Sequence, residues 1–99
     1  MPYFIVFAKD KKESGAAIRA ANRSAHLEWT KTFGDKLKVG GPLMSDDQQA
    51  MIGSLLIIEY ESLDALKAYL KSDPYAQAGL FQSVDVRPYT WLLGTTKPV

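Results

Sequence analysis

Two periodicities of hydrophobic residues divide the start of the chain into a strand and a helix. Residues Tyr3 to Ala8 form a short aromatic and β-branched run, which predicts a strand, and the charged turn that follows ends it. From Ala16 to Phe33 the apolar positions recur at the spacing of one helix face, and Gly34 suits the C-terminal stop of that helix. The chain is therefore expected to begin with a strand followed by a helix.

The rest of the chain continues the pattern with four more elements. They are a second strand over Leu37–Val39 that ends in the turn Gly40-Gly41-Pro42, a third strand over Ile52–Tyr60, a second helix over Leu63–Lys71, and a last strand over residues 80–92. Pro88 lies inside the last strand and favours an edge position, because proline cannot donate to a neighbouring strand. The order β-α-β-β-α-β is that of the ferredoxin-like α+β fold, with a four-stranded antiparallel sheet and both helices on one face. We expect a single domain over residues 1–99.

Both faces of this sheet carry apolar side chains. In the first strand, Tyr3, Ile5 and Phe7 point away from Phe4, Val6 and Ala8, and the third strand alternates in the same way. Two helices cover only one face of a four-stranded sheet, so the second apolar face needs a cover that the chain does not supply. The simplest cover is a second copy, and we expect a homodimer joined sheet to sheet.

Composition narrows the classes of function. The 99 residues carry a formal net charge of +1, which gives no broad field for nucleic acid or an anionic membrane, and there are no cysteines for disulfides or thiolate chemistry. No apolar run approaches the length of a membrane span, and the N-terminus has no basic segment of the signal-peptide kind, so we expect a cytoplasmic protein. A lone histidine is a poor start for a metal site, and we expect neither metal nor cofactor.

His26 is the only histidine and the only side chain whose ordinary pKa lies close to neutral pH. It sits at the margin of the apolar face of the first helix, with Arg23 one turn away and Arg19 two turns away. A histidine in this setting fits a general acid or base beside an anion-binding group. The alternative is a boundary histidine that only makes a local hydrogen bond.

Asp73 has two possible roles, and the spacing leaves both open. As an N-cap it would precede Pro74, which suits the first position of a helix. As a partner of His26 it would fix the tautomer of the imidazole, because both helices of this fold lie side by side on one face. The two roles use the same carboxylate oxygens, although one carboxylate can serve both.

Several short motifs in this order resemble the YciI-like family, over about Tyr3 to Trp91. They are Arg23-x-x-His26-Leu27, Gly41-Pro42, Gly53-Ser54, and Asp73-Pro74-Tyr75 followed by Ala78-Gly79. The resemblance implies a dimeric α/β-barrel protein with an active site built around His26 and Asp73. Arg23, Ser54 and Gly41-Pro42 match other recurring positions. Some relatives are linked to dehydrochlorination of hydroxylated chloroaromatics.

The first functional hypothesis is a cofactor-independent lyase or isomerase, of the dehydrochlorinase kind, acting on a small polar or anionic substrate such as a hydroxylated aromatic. His26 moves the proton, Asp73 orients it, and Arg23 with Arg19 holds the anionic group. The remaining candidates for substrate contact are Ser54, Gly41, Pro42 and Tyr75. The alternative is a non-catalytic dimeric module that binds or senses a small ligand. RNA binding is not expected, because the third strand lacks the aromatic residues that stack bases.

Overall fold

The computed structural model describes residues 1–97, so the last two residues of the expected domain lie outside the described part. Its elements are β1 (Tyr3–Asp10), α1 (Gly15–Thr30), a 3₁₀ segment (Lys31–Lys36), β2 (Leu37–Met44), β3 (Met51–Glu59), α2 (Leu63–Leu70), α3 (Pro74–Gln77) and β4 (Phe81–Tyr89). The predicted ferredoxin-like fold is confirmed, with the short helix α3 added between α2 and β4.

The four strands form one antiparallel sheet in the order β2-β3-β1-β4. The central strands β1 and β3 pair from Tyr3 opposite Glu59 to Lys9 opposite Gly53, and Val6 of β1 lies between Leu56 of β3 and Val86 of β4. Strand β4 is an edge strand, which accommodates Pro88 as expected. Since neighbouring residues alternate between the faces, one face of the sheet is set by the even-numbered residues of β1 and β3.

Several predicted boundaries differ from the structure, and the first strand continues to Asp10 instead of ending at Ala8. The α-helix ends at Thr30 instead of Phe33, and the chain continues as a 3₁₀ segment in which Gly34 adopts a positive φ of 60°. The second strand extends to Met44, so Gly40, Gly41 and Pro42 belong to the strand and are not a turn. An edge strand needs pairing on one side only, which is why it tolerates this sequence. The last strand covers Phe81–Tyr89 and is shorter than the expected 80–92.

The core lies between the helices and one face of the sheet. Its buried hydrophobic residues include Phe4, Val6, Leu56, Ile58, Trp29, Phe33 and Leu66. The opposite face, which we call the outer face, carries the odd-numbered residues of β1 and β3 together with their neighbours on β2 and β4. It keeps apolar side chains at its surface, since Phe7 is 36% exposed and Val39 is 40% exposed.

Candidate active site

His26 and Asp73 lie in direct contact although they are far apart in sequence. The Nδ1 atom of His26 is 2.8 Å from Oδ1 of Asp73, and the two side chains are 10% and 7% exposed. Helix α1 presents His26 to the sheet, and the junction between α2 and α3 brings Asp73 to the same place. The side-by-side packing of helices on one face therefore produces the approach that the topology predicts.

Asp73 makes the contacts of both roles that the sequence left open. The same Oδ1 that contacts His26 also accepts the backbone N–H of Tyr75 at 2.9 Å, with Pro74 at the first position of α3. This cap fixes the carboxylate against the short helix. Because an ionised carboxylate only accepts hydrogen bonds, Nδ1 of His26 is the donor, and in the neutral ring Nε2 is left as the basic nitrogen.

The free nitrogen of His26 faces accessible space. Among residues 1–97, no buried side-chain nitrogen or oxygen lacks a hydrogen-bond partner, and within this part of the chain His26 is bonded only through Nδ1. A fully buried Nε2 would be such an unpartnered atom, so Nε2 is accessible to solvent. His26 lines a small cavity of about 40 Å³ under the sheet, together with Asp73 and Ser54, and also an open groove of about 290 Å³ beside Gly40 and Gly41 of β2.

Tyr75 holds the imidazole from its face. Its ring stacks on His26 with centroids 4.0 Å apart and planes 13° from parallel, and it is only 2% exposed. Burial raises the pKa of the Tyr75 phenol, and this effect exceeds the lowering effect of the nearby charges of Arg19 and Arg23. The phenol therefore stays neutral at physiological pH, and the aromatic face restricts rotation of His26.

Arg19 is engaged in a buried ion pair with Asp10. Its Nε and Nη2 donate to the two carboxylate oxygens of Asp10 at 2.7 and 2.8 Å, and Nη2 also donates to Ser54 Oγ at 3.0 Å. Burial lowers the pKa of Arg19, but the hydrogen bonds and charge of Asp10, with smaller contributions from Tyr75, together outweigh burial, so the pKa is raised. The guanidinium carbon lies 4.8 Å from the centroid of the Tyr75 ring, so the pair is connected to His26 through that ring.

Asp10 is the site residue that the sequence analysis missed. It continues the inward-facing series Phe4, Val6 and Ala8 of β1, and it is 8% exposed. That alternation was a usable signal, because an acid at an inward position requires a buried cation or hydrogen-bond donors.

The other expected site residues occupy different surroundings. Arg23 is exposed on α1 and lines an open groove of about 500 Å³ with Arg19, Gln49 and Met51. Gly41 lines the open groove beside His26, whereas Pro42 is exposed on the edge strand opposite Ser54. The structure therefore gathers His26, Asp73, Tyr75, Arg19 and Ser54, and it places Arg23 and Pro42 at the periphery.

Gly53 allows Ser54 to reach this cluster. A Cβ atom at Gly53 would lie 2.3 Å from the carbonyl oxygen of Ala8 in the neighbouring strand, which no side chain tolerates. Glycine at this position lets β3 approach β1 closely, and the next residue then points its hydroxyl at Arg19.

Within residues 1–97, no group of three or more His, Asp or Glu side chains is placed to hold a metal ion. In the same range, none of the helices has the length and hydrophobicity to cross a bilayer.

Comparison with known proteins places this geometry in a family. The model of the YCII-related domain matches residues 1–90. The chain belongs to the YCII-related family. Protein YciI of Escherichia coli O6:H1 is 33% identical over 93 residues, covering 87% of this chain and 94% of that protein, and an uncharacterized Haemophilus influenzae protein is 31% identical over 94 residues, covering 88% and 95%. The resemblance to the YciI-like family is thus confirmed.

Solved structures support the same assignment. The chain is similar to 5-chloro-2-hydroxyhydroquinone dehydrochlorinase (TftG) from Burkholderia phenoliruptrix AC1100, with a TM-score of 0.79, 33% identity, and coverage of 97% of this chain and 99% of that one. That structure is a complex with 2,5-dihydroxybenzoquinone. A putative antibiotic biosynthesis monooxygenase from Nitrosomonas europaea has a TM-score of 0.53 at 18% identity, with 94% of this chain and 100% of that one covered, and shares the fold alone.

Proposed function

We propose that this YCII-related protein is a lyase or isomerase that transfers a proton through His26, without a cofactor, on a small polar or anionic substrate. The observation that carries the proposal is the contact between Nδ1 of His26 and Asp73, which leaves Nε2 as the basic nitrogen of a histidine that lines a cavity. A buried acceptor on one nitrogen stabilises the imidazolium that forms when the other takes up a proton.

The chemistry of an elimination fits these groups. Nε2 of His26 removes a proton from the substrate while the C–Cl bond breaks and chloride leaves with the bonding electron pair, so that a new double bond forms. The reaction is a loss of HCl and needs no external oxidant or reductant. Asp73 then holds the protonated ring until the proton passes to water. Ser54 lines the same cavity, and we propose that its hydroxyl, which accepts a hydrogen bond from Arg19, donates one to the substrate.

The similarity to TftG provides the substrate for a first test. We expect the protein to release chloride from 5-chloro-2-hydroxyhydroquinone, measured with a chloride electrode beside the quinone absorbance. His26→Ala is expected to lower kcat by about 10²–10⁴-fold, the usual contribution of a proton-transfer group. Lys12→Gln, in the exposed turn before α1, is the control and should keep full activity. Full activity of His26→Ala would exclude the mechanism.

A non-catalytic ligand-binding module would behave differently in the same assay. It would be stabilised by the added compound, seen as a rise in Tm, and it would release no chloride. Product formation at the buffer rate together with such stabilisation would therefore reject the enzyme and leave a binding protein.

We also propose that the protein forms a homodimer through the outer face of its sheet. Ile5, Phe7, Leu55 and Ile57 form an apolar centre there, and Asp85 and Arg87 of β4 provide a polar rim. This arrangement of an apolar centre and a charged rim is typical of interfaces between protein subunits. Light scattering after size exclusion should give twice the mass of the chain for the wild type and the single-chain mass for Ile57→Lys. A monomeric wild type at micromolar concentration would refute it.

A further inference from the structure

An open apolar groove lies between helix α2 and the edge strand β4, outside the cluster around His26. It has a volume of about 250 Å³, and it is lined by Lys67, Leu70, Lys71, Ala76, Val84 and Val86. Val84 points toward the helices from β4, yet it is 45% exposed, because α2 does not cover the end of the sheet at this place. The helix layer therefore leaves a gap that opens to solvent.

This groove adjoins the cavity at His26. Leu70, Ala76 and Val84 line both spaces, so the two spaces are separated by no more than these three side chains. The cavity of about 40 Å³ exceeds the roughly 10–15 Å³ that one water needs, but it is too small to hold an aromatic ring. Together the two spaces approach the lower end of the range of about 300–1,000 Å³ found for small-molecule sites.

The charges at the groove have one sign. Lys67 and Lys71 are the charged residues that line it, and both are exposed on the last turn of α2 and the residue after it. Neither forms an ion pair within 4.0 Å inside residues 1–97, whose ion pairs involve Arg19, His26, Lys31, Lys38 and Arg87. Two ammonium groups at the edge of an apolar groove complement a flat apolar molecule that carries a negative charge.

We propose that this groove is the ligand entrance and binding site, and that it takes a compound with a planar apolar body, one anionic group and one small substituent. The body lies between α2 and β4, the anionic group contacts Lys67 and Lys71, and the substituent enters the cavity beside His26. The inference rests on the proposed function in taking His26 as the reacting group. It makes Lys67, Lys71 and Val84 determinants of specificity.

The probe that tests this placement is 4-chlorobenzoate, which has all three features. Three relatives lack one or more of them: benzoate has no substituent, 4-chlorobenzyl alcohol has no charge, and acetate has neither the ring nor the substituent. Binding is followed by NMR through the methyl signals of Val84 and Val86 and the ring signals of His26. We expect 4-chlorobenzoate to shift both sets, benzoate to shift the valine methyls with little effect on His26, and acetate to shift neither.

Variants of the groove provide the quantitative test. Lys67→Gln and Lys71→Gln should each weaken 4-chlorobenzoate binding by about two- to five-fold, as expected for an exposed charge contact. They should leave the affinity for 4-chlorobenzyl alcohol unchanged. Val84→Phe should fill the groove and abolish binding of both compounds. Lys12→Gln is the control for the loss of one positive charge elsewhere on the surface.

The outcomes separate this inference from the proposed function. Absence of 4-chlorobenzoate binding at millimolar concentration would refute the proposed binding site. Signal shifts confined to Gly40 and Gly41, together with a loss of affinity in Lys38→Gln, would also refute it, since these residues line the other groove beside His26. Chloride release that persists in Val84→Phe would refute the proposed binding site and support the proposed enzymatic function. Binding in the groove without any turnover would support the binding site and refute the enzymatic function.

Discussion

Removal of the Asp10 carboxylate is expected to be among the most destabilising single changes in this site. The side chains of Arg19 and Asp10 are 8% and 4% exposed, and two hydrogen bonds of 2.7 and 2.8 Å join them. In Asp10→Ala the guanidinium loses its only carboxylate partner and keeps uncharged neighbours, the hydroxyl of Ser54 and the side chain of Tyr75. Breaking a buried pair from one side costs about 3–5 kcal/mol, since it leaves an uncompensated buried charge.

Two further variants distinguish this reason from a general loss of packing. The double variant Asp10→Leu with Arg19→Met removes both charges and should recover most of the lost stability, because apolar residues of similar volume replace such pairs at little cost. Lys31→Ala breaks the ion pair with Glu28, whose side chains are 72% and 73% exposed, and should lose less than about 1 kcal/mol. Urea unfolding followed by circular dichroism measures all of these free energies. A loss below about 1 kcal/mol in Asp10→Ala, or a double variant no more stable than the single one, would refute the reasoning.

The structure makes three other predictions. Gly53→Ala should lower the free energy of unfolding by about 1–3 kcal/mol or more, because its Cβ meets the Ala8 carbonyl at 2.3 Å, and an unchanged urea midpoint would contradict this. The pKa of the Tyr75 phenol is higher in the folded protein than in the unfolded chain, so the unfolded chain loses this proton at a lower pH. The contribution of the buried phenol to the free energy of unfolding is therefore fully present below about pH 10 and is lost as pH rises through the folded pKa. Tyr75→Phe should not show this part of the loss of stability at alkaline pH. Parallel curves of the free energy of unfolding against pH for the two proteins would contradict this prediction. Trp29→Phe should cost about 1–3 kcal/mol, because it removes a hydrogen bond of 2.8 Å to Ser72 and part of a buried ring, and a loss below that range would count against these contacts.

The fold was accessible from the sequence because its elements carry strong and separate periodicities. Alternation in β1 and β3 and the helical spacing around His26 and Trp29 fixed the order of elements, and that order brings the two helices onto one face. The boundaries were less accessible. The Gly40-Gly41-Pro42 segment has the composition of a turn, and only its position at the sheet edge makes it a strand.

The site was accessible to the extent that topology determines it. The approach of Asp73 to His26 follows from the fold, but the sharing of one oxygen between His26 and the Tyr75 N–H depends on how α3 begins, which spacing does not encode. Arg19 was expected to face a substrate, and the structure engages it with Asp10 instead. The inward position of an acid in β1 was visible in the sequence, while the identity of its cationic partner required the packing of α1 on the sheet.

The groove between α2 and β4 was not predictable from the pattern of residues. Val84 alternates as an inward-facing residue of β4 and would be expected in the core. It is exposed because α2 is short and ends at Leu70, which leaves the edge of the sheet uncovered. Gaps of this kind depend on helix length and position relative to the sheet, and these are properties of the folded chain.

The measurement that tests the central claim most directly is nitrogen-15 NMR of the His26 ring above its titration, where the imidazole is neutral. His26 is the only histidine, so the two ring signals need no further assignment to a residue. We predict that Nδ1 carries the hydrogen, donated to Asp73, and that Nε2 is bare and able to accept a proton. In Asp73→Ala this preference should be lost. A wild-type ring with the hydrogen on Nε2 and a bare Nδ1 would contradict the account, because Asp73 would then not hold His26 as a base.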